Sequence, residues 1–247
     1  MKSLIVGNWK LYINSVADGK KLLKEIDKRY PRGVKAEVVV CPQLSIAAAL
    51  RAGYGGKRIA FGTQDVFYED GAHTGSVSPK SLATSGIRFV LVGHIERRIL
   101  GDTDEMVAKK AAAAIEAKLH PIICVGEPAR DQEGGHFTYL ATNVTASLGR
   151  LSGKDAARFT VAYDPVWAIG QEEAPSPAII AQTVMFIRKT IADMWGREAA
   201  DKVRIIYGGS VDAESAKGFR DAGIQGLLPG RASVDAAEFA GIIKAFS

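Results

Sequence analysis

Two rhythms of apolar residues alternate along this chain. Short runs with every second position buried-type, or apolar throughout, stand at residues 3–9, 37–41, 58–62, 88–92, 121–125, 159–163, 203–207 and 224–228, and read as strands. Between them, apolar residues recur at helical spacing over residues 16–30, 44–52, 104–118, 136–151, 177–195, 213–222 and 236–246. Pro31 and Pro121 act as stops, and Ser176 and Ser78-Pro79 as starts. A polar loop fills residues 63–78. The result is eight strand–helix alternations with no linker or low-complexity break. Such a run predicts parallel strands joined by right-handed crossovers, closed as one α/β (β/α)8 barrel domain over residues 1–247. An open doubly wound sheet is the other arrangement, but the first turn has no Gly-x-Gly-x-x-Gly fingerprint.

In such a barrel, chemistry gathers where strands end. The sixth strand runs into Asp164-Pro165, and a proline cannot continue the ladder, so Asp164 is expected at a strand tip. Behind it, residues 166–169 and Gly170 form a short apolar segment, either a lid or an ordinary loop with a packed Trp167. The other tips carry Asn8 and Lys10, His94 and Glu96, Glu127, Gly208-Gly209-Ser210, and Gly230.

Composition narrows the classes. The chain has 247 residues, 47% hydrophobic and 24% charged, enough for a core without disulfides or metals. Cys41 and Cys124 lie in apolar runs and read as buried thiols of a reducing, cytoplasmic compartment. No secretion signal or membrane span is expected. The net charge of +5 mildly favours an anionic partner, but Lys and Arg are dispersed along the chain without interleaved aromatics, which argues against nucleic acid.

A carboxylate, a histidine, a lysine and an asparagine at one rim form an acid–base set without nucleophile or metal. Small turns after the last two strands suit backbone N–H groups that cradle an anion. Together they fit proton abstraction next to a carbonyl on a small phosphorylated substrate. Taken singly, His94 reads equally as a structural histidine, and Lys10 with Glu96 as a plain ion pair. His73, His120 and His136 show no ligand spacing.

The segments Gly7-Asn8-Trp9-Lys10, Val92-Gly93-His94-x-Glu96-Arg97-Arg98, Cys124-Val125-Gly126-Glu127, Ala162-Tyr163-x-Pro165-Val166-Trp167-Ala168-Ile169-Gly170 and Tyr207-Gly208-Gly209-Ser210-Val211 occur in order across the whole chain. They resemble the triosephosphate isomerase family, whose neutral histidine and closing lid serve as general examples of this chemistry. The resemblance implies a TIM barrel, a homodimer built through the 63–78 loop with Gln64 and Thr74 at matching positions, and cofactor-free interconversion of dihydroxyacetone phosphate and glyceraldehyde 3-phosphate. It implies that Lys10 stabilises the enediolate, Asn8 orients substrate, His94 polarises the carbonyl and Glu96 holds Lys10. Phosphate is expected against Gly170, Ser210, Gly230 and Arg231.

Four positions depart from the family pattern. Asp164 replaces the glutamate base, which shortens the reach by about 1 Å and at that scale costs on the order of a hundredfold. Ile95 replaces the serine after the histidine and is expected to desolvate Asp164. Pro229 and Arg231 alter the turn after the last strand. Ser76 and Asp65 alter the interface loop, and with Ser76 the interchain partner of Arg98 is expected to be lost. Two other functions stay open: isomerisation or epimerisation of a related sugar phosphate, favoured by Arg231 and by Gln171-Glu172-Glu173, and a decayed barrel that only binds phosphate ligands.

Overall fold

The structure, a computed structural model, describes residues 1–131, 133–168 and 175–247. Eight strands, β1 (Leu4–Asn8), β2 (Glu37–Cys41), β3 (Ile59–Thr63), β4 (Phe89–Val92), β5 (His120–Val125), β6 (Thr160–Tyr163), β7 (Arg204–Tyr207) and β8 (Gly226–Leu227), close into a barrel in sequence order. Every pairing is parallel, and β8 returns to β1 through Leu4 with Gly226 and Ile5 with Leu227.

Alternation along each strand divides the core in two. Leu4, Val6, Val39, Cys41, Phe89, Leu91, Ile122, Cys124, Ala162 and Ile206 fill the barrel's interior. Their neighbours Ile5, Val38, Val40, Val90, Ile123, Val161 and Ile205 pack outward against the helices. Continuing the inward parity one step upward brings Asn8, Asp164 and Gly208 to the C-terminal mouth. Continuing it downward brings Glu37, His120, Thr160 and Arg204 to the floor.

The helices occupy the expected places, with differences at their ends. Pro177–Trp195 starts on Ser176, whose side chain accepts from the Ile179 N–H. Ser78 stands at the start of Pro79–Thr84, but its side chain makes no cap; its carbonyl instead accepts from Ser81 Oγ and the Leu82 N–H. The helix expected over 213–222 begins only at Ala216, because Asp212 and Ser215 bond each other in a side-chain turn first. Two short helices, Ile95–Ile99 and Arg197–Lys202, were not legible in the pattern. Each spans less than two turns, too short to display a period of 3.6 residues.

Candidate active site

Asp164 follows the last residue of β6, and its N–H donates to the Val125 carbonyl at 2.8 Å, extending the ladder one step past the strand. The approach is possible because residue 126 is glycine: a Cβ there would overlap the Asp164 carbonyl. Gly208, directly after β7, likewise leaves room for the carboxylate, since a Cβ there would stand 3.4 Å from Asp164 Oδ1. Asp164 is 5% exposed, and Oδ2 has no hydrogen-bond donor. Burial, the largest cause, raises the carboxyl's proton affinity above the usual carboxylate range, while the nearby Lys10 ammonium acts against that shift.

His94 caps the short helix Ile95–Ile99, and its Nδ1 accepts the Glu96 N–H at 3.2 Å. A nitrogen accepting a backbone N–H holds a lone pair, so the ring is neutral with its proton on Nε2. That Nε2 lies 3.4 Å from Asp164 Oδ2. The helix is fastened by Arg98, which donates to the Gly93 carbonyl (2.7 Å), Asp104 (2.5 Å), the Cys124 carbonyl (3.1 Å) and Ser147 Oγ (3.0 Å). Four of the five N–H donors of Arg98 are therefore engaged within its own chain, whatever becomes of the interchain partner expected from the family pattern.

Lys10 takes a left-handed backbone, φ 43°, unusual for a residue with a side chain. Two contacts hold it there. Its N–H donates to Asn8 Oδ1 at 3.2 Å, and Gln64 Nε2 donates to its carbonyl at 2.9 Å and to that of Cys41 at 3.0 Å. The ammonium then reaches Glu96 Oε1 at 2.7 Å. Gly230 adjoins the Lys10 stem: a Cβ at 230 would lie 3.5 Å from Lys10 Cε. The structure thus brings Asn8, Lys10, His94, Glu96, Asp164 and Gly230 to one mouth. Ser210 is half-buried in the turn after β7, and Arg231 is exposed at the start of the turn Arg231–Val234. Ile169, Gly170, Gln171, Glu172 and Glu173, where the sequence suggests a lid, lie outside the described residues. Among the described residues no three His, Cys, Asp or Glu side chains are grouped to hold a metal ion.

The family model described as triosephosphate isomerase matches residues 3–246. This chain belongs to the triosephosphate isomerase family. Proteins named triosephosphate isomerase from Citrifermentans bemidjiense and Moorella thermoacetica are 40% and 41% identical to it, over 98% of each chain. One from Clostridium perfringens is 38% identical over 98% of each chain.

Within the triosephosphate isomerase pattern, Glu127 stands differently from the tip residue expected of it. It is fully buried, and its Oε1 accepts from Tyr163 Oη (2.8 Å), Trp167 Nε1 (2.8 Å) and Arg130 Nε (3.2 Å). Arg130 also stacks on the Trp167 ring at 4.9 Å. Glu127 therefore clamps the first turn behind Asp164 rather than facing the mouth. The clue was available in the sequence: buried Tyr and Trp each carry one donor that needs an acceptor. Asp65, the other departure, turns into its own chain, receiving Lys110 Nζ at 2.8 Å and lying 3.0 Å from Arg97 Nε. Lys110, almost fully buried, also reaches Asp102 at 2.6 Å.

Proposed function

We propose that this chain, as one barrel domain over residues 1–247, interconverts dihydroxyacetone phosphate and glyceraldehyde 3-phosphate through an enediolate. The observation that carries this reading is the buried Asp164 carboxylate facing a neutral His94 Nε2–H at 3.4 Å. Asp164 takes a proton from the carbon beside the substrate carbonyl and returns it to the neighbouring carbon. Its burial strengthens it as a base. The carbonyl oxygen replaces the carboxylate at His94 Nε2–H, which then stabilises the developing oxyanion. The Lys10 ammonium, steered by Glu96, shares that charge, and Asn8 sets the Lys10 backbone and orients substrate. Phosphate rests on backbone N–H groups at Ser210, Gly230 and Arg231, with Gly170 from the lid.

Relatives of this length carry the name triosephosphate isomerase, which supports the substrate assignment. Exposed Leu11, Tyr12, Leu44, Ile99 and Leu100, with the exposed tip of the 63–78 loop, support a homodimer. Two buried free thiols support a reducing, cytoplasmic setting. No helix among the described residues is long and apolar enough to cross a membrane.

A coupled assay on glyceraldehyde 3-phosphate tests the reading. Turnover by the wild type that falls about 10³-fold in Asp164→Ala supports it. Turnover confined to another sugar phosphate favours the related isomerase or epimerase, for which the exposed Arg231 speaks. No turnover with tight phosphoglycolate binding favours a decayed barrel.

A further inference from the structure

Strand alternation places a second polar layer at the barrel floor, opposite the mouth. Arg204, at the start of β7, has an Nη1 that lies 3.7 Å from Glu37 Oε2, and Arg88 Nη2 donates to Glu37 Oε1 at 3.1 Å. One carboxylate thus serves two guanidiniums. Arg204 Nε and Nη1 are buried without a hydrogen-bond acceptor. His120 lies on the same floor, its pKa held down to about 4 by burial and by the charges of Arg204 and Arg88.

Beside Glu37 opens a cavity of about 710 Å³ whose charged walls are Lys2, Arg32, Lys57, Arg58 and Arg88, with Glu37 the one carboxylate among them. Arg58 leans on Asp27 at 3.2 Å and stacks on Tyr30. Lys2, Arg32 and Lys57 form no ion pair among the described residues. Like charges gathered round one concavity repel each other and focus a positive potential that a bound anion relieves.

We propose that this cavity binds a small anion carrying two or more phosphate groups, independently of the proposed reaction. Its volume is that of a small-molecule site, and the cations ring one hollow instead of tracking along a surface as a polymer would need. Lys2, Glu37, Arg58, Arg88 and Arg204 all stand before or at the first residue of a strand, whereas the mouth residues stand at or after the last. A strand of five residues separates the two by roughly 15 Å, so no side chain is shared.

The probe is inorganic pyrophosphate, titrated calorimetrically at low salt into Lys10→Ala, which weakens anion binding at the mouth. One saturable equivalent is expected, weakened at least about tenfold in Lys10→Ala with Lys2→Glu and Lys57→Glu, and about tenfold on raising salt from about 20 to about 200 mM. Lys2 and Lys57 are exposed and unpaired, so their replacement leaves the fold intact; circular dichroism checks this, and Arg32→Glu is the substitute if either fails. Absence of saturable binding to Lys10→Ala overturns the proposal, as does affinity unchanged by the floor substitutions.

Discussion

Asp164 Oδ2 lies 3.4 Å from His94 Nε2, and both side chains are more than nine-tenths buried. The pair is held from behind on both sides, Asp164 by the ladder bond to Val125 and His94 by the Glu96 N–H. The shorter carboxylate therefore already touches the imidazole, although it has one methylene fewer than the family's usual base.

The first expectation concerns stability. Asp164 binds its proton more tightly in the fold than in the unfolded chain. Ionising it thus destabilises the protein above its folded pKa, and the penalty fades as pH falls through that pKa towards the unfolded value. Asp164→Asn should abolish turnover yet raise stability at pH 8 by on the order of 1 kcal/mol, a Tm gain of about 2–4 °C. The gain should vanish in acid, as thermal melts across pH will read. A variant less stable than wild type at pH 8 would overturn the argument.

A second expectation concerns residue 95. Because Asp164 is already at the imidazole, lengthening it to Glu leaves the extra methylene to be accommodated beside Gly208 and Leu228. Asp164→Glu alone should give no simple gain in kcat/KM, whereas Asp164→Glu with Ile95→Ser should. A double-mutant cycle measures the coupling, expected at about 1 kcal/mol or more. Additive effects would show that the two positions act independently.

Glu127 is a third test. Truncation to Ala leaves the Tyr163 hydroxyl, the Trp167 indole and the Arg130 guanidinium without their shared acceptor. Chemical denaturation should show a loss of about 3 kcal/mol. In a sufficiently stable background, kcat should fall as well, because the turn behind Asp164 loses its anchor.

The fourth concerns the floor. His120, bonded to Thr160 Oγ1 at 2.9 Å, titrates at about 4 in the fold against an ordinary 6.5. The unfolded chain binds the proton first, so stability declines as pH falls from about 6.5 to about 4, by at most on the order of 3 kcal/mol. His120→Gln should flatten that limb of the acid-denaturation curve. An unchanged slope would place the acid sensitivity elsewhere.

Much of this was written in the order of residues. Apolar runs of five separated by helical periods dictate parallel strands, because each backbone ladder must be completed by a neighbour reached through a crossover. Asp164 before Pro165 marks a strand tip for the same local reason. The helix Ile95–Ile99 was not legible, since it is too short for a period; for Glu127 the sequence held only the general clue of unpaired Tyr and Trp donors, because the ones that meet it lie 36 and 40 residues away.

The sequence by itself determined the alternation of elements, and through the parity of each strand it determined which side chains share a face. Only the tertiary structure decided which faces meet. Barrel closure aligns the mouth residues of β1, β4 and β6 into one acid–base group, and it draws Lys2, Arg32, Lys57, Arg58 and Arg88, dispersed along the chain, around one hollow at the floor. Distances between charges are set by the closed hydrogen-bond register and not by separation along the chain, so the electrostatics of both ends arise with the fold.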